Sequence, residues 1–306
     1  VRVAAVDIGT NSTRLLVADV AGGRVDELAR HSIVTRLGDR VDQTGILDAA
    51  ACERVIAALT EYRERIDELG ADTVTAVATS AMRDTANGAE FRDRIASTTG
   101  IQANVIDGDT EAGLTFAGAS YGGAHDLEPT VVIDIGGGST EFVIGAGGKL
   151  SFHTSTQIGV VRQSERHLLD DPPAAGQIAA LADEVAAIIT DAVPRDHRAV
   201  VERAVSVAGT PTSLAAIDLE LERFDPWKVH GHTLPLATIE ELTLMLSALP
   251  LAQRRHVVGL HPDRAPTIVA GGVVLAQSLR CFEVDVVRVS EHDILYGMVL
   301  DAAQPD

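Results

Sequence analysis

Residues 3–20 read VAAVDIGTNSTRLLVADV, and residues 130–147 read TVVIDIGGGSTEFVIGAG. Each stretch is an apolar run, then Asp-Ile-Gly, two small residues, Ser-Thr and a second apolar run. Each predicts a β-hairpin whose glycine-rich turn begins with an aspartate. One such turn reads as an ordinary hairpin. Two at matching places argue for two related halves, because a tight turn has no need of aspartate at the same position twice.

Outward from these hairpins, strand and helix patterns alternate in each half. The first half predicts strands at 3–6, 15–20, 26–34, 74–78 and 103–106, with helices at 48–69, 87–98 and 110–120. Asp48 stands where a helix N-cap belongs, and Gly70 and Gly100 stand where helices stop. The second half predicts strands at 131–134, 141–144, 150–155, 204–208 and 284–289. Its helices fall at 159–169, 174–193, 212–219, 239–246, 251–258 and 265–281. Residues 122–129 are breaker-rich and join the halves. The expected domains are 1–124 and 125–291, with a short helix at about 292–306 returning to the first. Strand–helix alternation of this kind predicts an α/β fold with mixed sheets flanked by helices.

Composition narrows the function. Hydrophobic residues make up 46% of the 306, enough for two cores, while aromatics are only 3%, so those cores are built of Ala, Val, Leu and Ile. A net charge of −19 speaks against a non-specific nucleic-acid binder. An anionic ligand would have to be held locally, by cations, backbone N–H groups and placed arginines. Lys149 and Lys228 are the only lysines. Cys52 and Cys281 lie far apart, in apolar helical stretches and outside any metal-ligand spacing, and read as buried thiols. No apolar run approaches a membrane span, and none follows a charged leader at the start of the sequence. A reduced, cytoplasmic compartment is the expectation.

The two loops, 7–12 and 134–140, carry the chemistry. A glycine-rich turn after a strand lets backbone N–H groups approach phosphate oxygens with no Cβ in the way. Hydroxyls of Thr10, Ser12, Ser139 and Thr140 add donors. An aspartate at each strand end is a hard oxygen ligand, suited to a magnesium ion that keeps most of its water. No GxxxxGK[ST], strand-linked GxGxxG or GxSxG is present, so P-loop, Rossmann and α/β-hydrolase readings fall.

The paired DIGTNS and DIGGGSTE loops resemble those of the actin–Hsp70–sugar-kinase superfamily. Four further segments narrow the resemblance to the exopolyphosphatase/guanosine pentaphosphate phosphatase (Ppx/GppA) family: ATSAMRDTAN at 78–87, VIDGDTEAGLTFAG at 105–118, IGVVRQSE at 158–165 and VAGTPTSLAA at 207–216. The resemblance implies two ribonuclease H-like (actin-like ATPase) domains with an interdomain cleft. It implies Glu111 as catalytic base, with Arg83 binding phosphate oxygens. Gly9, Thr10, Asn11, Ser12, Arg36, Gly136, Gly137, Gly138, Ser139, Thr140 and Gly209 would meet substrate. Asp134, Asp7 and Glu141 would hold the divalent cation, directly or through water. Chemistry agrees on Glu111, since a positioned carboxylate can orient and deprotonate the water that attacks a phosphoanhydride. The sequence departs from the family at 293–297, where DILYG replaces a GLREG-like segment, so that Leu295 and Tyr296 stand for an Arg-Glu pair.

The implied substrate is polyphosphate or guanosine pentaphosphate, with polyphosphate favoured because no guanine pocket is evident. A homodimer is the expectation for such an enzyme. Two other classes stay open at this point: an ATP-dependent small-molecule kinase of the same superfamily, and a non-catalytic binder of a guanosine alarmone.

Overall fold

The computed structural model describes residues 1–122, 128–147 and 149–304. Most of the joining segment 122–129 falls on 123–127, outside the described residues. The chain divides into two compact units, Val1–Tyr121 with Asp293–Asp306, and Gly122–His292.

The first unit runs β1 (Arg2–Ile8), β2 (Thr13–Ala21), β3 (Arg24–Ile33), α1 (Val41–Thr44), α2 (Ala49–Leu69), β4 (Thr73–Ala78), α3 (Ser80–Arg83), α4 (Gly88–Thr99), β5 (Ala103–Val105) and α5 (Gly108–Ala119). Its sheet has the order β3-β2-β1-β4-β5. β1, β2 and β3 form the antiparallel meander, and β4 and β5 run parallel to β1. β1 is buried on both faces, which is why RVAAVDI is a near-continuous apolar run. Ala4, Val6 and Ile8 pack with Val55, Leu59 and Ile66 of α2. Val3 and Ala5 pack on the opposite face with Ile294, Leu295, Met298 and Val299.

Those last residues belong to a helix made much later in the chain, Ile294–Ala302, numbered α14 below. It lies against α5 with almost no space between backbones. A Cβ on Gly118 would meet the Asp293 carbonyl at 1.8 Å, and one on Gly297 would meet the Leu114 carbonyl at 1.9 Å.

Helix α2 shows why the local sequence folds as it does. Asp48 accepts from the amides of Ala50 and Ala51, and Gly70 closes the other end in the left-handed conformation. Its buried positions recur at helical spacing. Tyr62 spends its hydroxyl on the Thr13 carbonyl at 2.8 Å, tying α2 to the base of the first glycine loop.

The second unit repeats the plan: β6 (Thr130–Ile135), β7 (Thr140–Ala146), β8 (Lys149–Thr156), α6 (Val160–His167), α7 (Ala175–Ala192), α8 (Arg195–Ala199), β9 (Arg203–Val207), α9 (Gly209–Asp218), α10 (Pro226–Val229), β10 (Thr233–Pro235), α11 (Leu236–Ala248), α12 (Leu251–Arg254), α13 (Ile268–Cys281) and β11 (Val286–Val289). The sheet order is β10-β11-β9-β6-β7-β8. Its core joins β6 and β7 to α7, α9, α11 and α13. Among the described residues no helix is long and apolar enough to cross a membrane.

Four sequence expectations need correction. The helix expected over 251–258 stops at Arg254. That side chain is buried and donates to the carbonyls of Leu246, Leu249 and Ala265, turning the chain instead of extending it. The helix expected from 212 starts at Gly209, because a proline in the first turn, Pro211, loses no hydrogen bond there. β10 is absent from the expectation. It is three residues long and ends in proline, which only a sheet edge tolerates. Cys52 is buried but Cys281 only partly so, and both are free thiols pushed up by burial.

Candidate active site

In the first unit the parallel strands β1, β4 and β5 end level with one another, Ile8 beside Ala78 and Ala78 beside Val105. Three segments therefore leave the sheet at its carboxyl edge, where ligands bind in open α/β sheets. They are the loop after β1, α3 after β4, and α5 after β5. Glu111, Arg83 and the Gly9–Ser12 loop come from these three.

The first loop is fixed through its carbonyls. Gly38 N–H donates to the Thr10 carbonyl at 2.8 Å, and Arg36 N–H donates to that of Asn11 at 2.9 Å. Arg36 takes a left-handed φ of 50° to do so, a conformation uncommon outside glycine. Thr10 and Ser80 share a hydroxyl–hydroxyl bond of 2.9 Å, which links the loop to α3. With the carbonyls held, the amides of Thr10, Asn11 and Ser12 have no acceptor among the described residues.

The second loop is held the same way from a different direction. Val160 N–H donates to the Gly136 carbonyl at 3.0 Å and Val161 N–H to that of Gly137 at 2.9 Å. Arg162 Nε donates to the Gly138 carbonyl at 3.0 Å. This riveting of loop to helix needs Gly159, since a Cβ there would fall 2.1 Å from the Gly137 carbonyl oxygen. The amides of Gly137, Gly138 and Ser139 again have no acceptor among the described residues. A row of N–H groups with no acceptor among the described residues, in loops this far inside the fold, is uncommon and points to a ligand.

Arg83 and Glu111 are neighbours. The guanidinium lies 3.5 Å from the Glu111 carboxylate and 3.4 Å from that of Asp84, and its Nη1 donates to the Ile106 carbonyl at 2.9 Å. Glu111 sits in the first turn of α5, 7% exposed. Asp107 sets that turn by accepting from the Thr110 amide at 2.8 Å, and Thr110's donors hold the Asp107 carboxyl below the usual range.

Asp7 is buried at the end of β1, and burial raises its carboxyl above the ordinary aspartate value against the pull of Arg14. Arg14 donates to Asp7 Oδ2 from Nε at 2.9 Å and from Nη2 at 2.6 Å. Asp7 Oδ1 is buried with no hydrogen-bond partner among the described residues. A hard cation, or its water, would satisfy that oxygen. In the second unit Asp134 and Glu141 stand opposite each other on β6 and β7, both buried, so two acidic side chains share one face of the sheet. Ser155 donates to Glu141 Oε1 at 2.7 Å. No cluster of three or more His, Cys, Asp or Glu side chains occurs among the described residues. Within each unit, carboxylates in this number suit magnesium, which takes one or two carboxylates and fills its shell with water and phosphate oxygens.

Two expected donors point inward. Thr140 gives its hydroxyl to the Ile158 carbonyl, and Thr10 shares its hydroxyl with Ser80. Gly209 opens α9 with the Arg264 guanidinium laid directly over it, where a Cβ would clash at 1.6 Å. The departure at 293–297 is absorbed within the first unit. Leu295 and Tyr296 are buried, Tyr296 donates to Glu27 at 3.2 Å, and the Arg30 guanidinium lies over its ring. Burial, with Glu27 beside it, pushes the Tyr296 phenol up to about 12. Sequence reasoning missed Gly38, Ser80, Gly159 and Asp293. Their only signal was small or capping residues beside the motifs, and what they do depends on contacts far away in the chain.

The model of the Ppx/GppA phosphatase family matches residues 16–304. The chain belongs to that family. Exopolyphosphatase 2 of Mycobacterium tuberculosis is 36% identical, with 99% of this chain and 98% of the relative aligned. A crystal structure of an exopolyphosphatase-like protein superimposes with a TM-score of 0.94 at 35% identity, covering 99% of this chain and 97% of the other. The Ppx/GppA protein of Aquifex aeolicus superimposes with a TM-score of 0.81 at 31% identity, covering 98% and 97%. As in these Ppx/GppA proteins, each unit has a mixed sheet flanked by helices.

Proposed function

We propose that this chain is an exopolyphosphatase, releasing orthophosphate from the end of inorganic polyphosphate. The observation that carries the reading is that Glu111 and Arg83 leave the same sheet edge as a loop whose Thr10, Asn11 and Ser12 amides have no acceptor among the described residues. A full-length relative named exopolyphosphatase supports polyphosphate as the substrate.

In this reading Glu111 accepts a proton from water as its oxygen attacks the terminal phosphorus. The bridging P–O bond breaks, and the chain leaves shorter by one phosphate. Arg83 and the amides of the first loop donate to oxygens whose negative charge grows in the transition state. Within the second unit, the amides of Gly137, Gly138 and Ser139, likewise without an acceptor among the described residues, are the same kind of donor. Asp7 is the carboxylate of the first unit that would hold magnesium, and Asp134 and Glu141 are the candidates within the second. When bound, the ion neutralises charge on the transferring and leaving phosphates. With a net charge of −19, the protein has no broad positive field to hold a polyanion, so these local donors carry the attraction.

Glu111→Gln is the test. Phosphate release from polyphosphate should fall by two orders of magnitude or more, in the range of roughly 10²–10⁴ for a lost general base, with substrate binding nearly intact. A variant with wild-type turnover excludes Glu111 as the base. Parallel assays with guanosine pentaphosphate and ATP, with and without candidate acceptors, separate this reading from the nucleotide-specific ones.

A further inference from the structure

Arg14 sits between two buried carboxylates that lie at opposite ends of the sequence. Its Nε and Nη2 donate to Asp7 Oδ2, and its Nη1 donates to Asp293 Oδ2. The side chains of Asp7 and Asp293 are 4% and 6% exposed, and that of Arg14 is 16% exposed. Asp293 is held in turn: its Oδ1 accepts from the Leu295 amide at 3.0 Å, capping α14. The Asp293 backbone is pressed against Gly118 of α5, the helix that carries Glu111.

Two carboxylates around one guanidinium leave the trio with one negative charge in excess, in a place where isolated charge is costly and a cation would balance it. The arrangement also directs the Asp7 carboxylate. Arg14 occupies Oδ2 from two nitrogens and leaves Oδ1, buried and unpaired among the described residues, as the one coordinating atom. We infer that Arg14 and Asp293 are positioning residues for cation binding at Asp7, with Asp293 clamping Arg14 so that Asp7 presents Oδ1 in a fixed direction. The inference rests on the reading of Asp7 as a cation ligand. Partners of this kind, which touch a ligand and not the metal, typically change metal affinity 10–100-fold.

Manganese, followed by the loss of its free-ion EPR signal, is the probe, with the full chain and no substrate. Asp293→Asn is the discriminating variant. Its carbonyl oxygen can still cap α14, but its amide turns N–H donors toward Arg14 and breaks the clamp. The part of manganese binding that Asp7→Asn abolishes should weaken about tenfold in Asp293→Asn. Phosphate release by that variant should return to the wild-type kcat at saturating manganese, a recovery that damage to the catalytic groups would not show. Wild-type affinity in Asp293→Asn, with binding lost in Asp7→Asn, overturns the positioning role and leaves the cation site standing. Unchanged binding in Asp7→Asn overturns the cation site and the inference with it. If circular dichroism shows Asp293→Asn misfolded, Arg14→Lys replaces it. Lysine keeps the charge but cannot hold both carboxylates, so wild-type manganese affinity in that variant overturns the inference.

Discussion

Replacing Gly159 by alanine tests the architecture of the second loop with one added methyl. Gly159 has φ −95° and ψ 149°, a conformation open to every residue, so the backbone itself is not strained by the change. What the methyl meets is backbone: the Gly137 carbonyl oxygen at 2.1 Å and the Gly138 carbonyl carbon at 2.2 Å, where ordinary contact begins at 3.4 Å. Either the loop or the start of α6 must retreat by roughly 1 Å. If α6 retreats, the bonds from Val160 and Val161 to the loop stretch. If the loop retreats, the amides of Gly137, Gly138 and Ser139 leave their positions. Overpacking of this kind costs about 1–3 kcal/mol of stability. A misplacement of about 1 Å in a positioning group can cost about 10²-fold in rate, equivalent to about 2.7 kcal/mol of transition-state stabilisation. Phosphate release from polyphosphate gives kcat/KM, and urea unfolding gives the stability. Gly176→Ala is the control, because a Cβ there meets nothing within 4 Å. It should leave activity unchanged and raise stability by about 0.4–1 kcal/mol. If the G159A enzyme keeps wild-type kcat/KM, the loop is not placed by this contact, and its amides do not stabilise the transition state.

Gly297→Ala should destabilise the first unit by about 1–3 kcal/mol or more, read from its urea midpoint, because the methyl is aimed at the Leu114 carbonyl. Burial holds the Asp7 carboxyl above its unfolded value. The native state therefore binds the proton more tightly, and Asp7's contribution to stability declines as pH rises through the interval between the unfolded and folded values. In EDTA, the stability of Asp7→Asn relative to wild type should accordingly improve on going from pH 4 toward 7, and a flat difference would contradict the assigned shift. Chelation should abolish phosphate release, magnesium should restore it, and KM for long polyphosphate should respond only weakly to added salt, because so few exposed cations take part.

Much of the fold was legible because each element carried its own local signal. The two Asp-Ile-Gly turns marked the hairpins β1–β2 and β6–β7, and Asp48 and Gly70 bounded α2 within a residue. Where signals conflicted, packing decided. Gly209 and Pro211 look like breakers, yet open a helix, and β10 is too short to show a period. The site was legible to the extent that it lies in motifs: Arg83 and Glu111 come together as neighbours. Its supports were not. Ser80 matters through Thr10, Gly38 through the Thr10 carbonyl and Asp293 through Arg14, and no local pattern reports contacts that span 28, 70 or 279 positions.

The discontinuous make-up of the first unit imposes an order on biosynthesis. When Tyr121 leaves the ribosome, all five strands of that sheet exist, but the face lined by Val3, Ala5, Leu16 and Ala18 still lacks α14. The nascent chain must be extended by roughly 170 residues before that helix appears, on the order of 10–30 s at about 5–20 residues per second. For that interval an apolar sheet face stands open to chaperones and to neighbouring nascent chains, and Arg14 waits for the second of its two carboxylates.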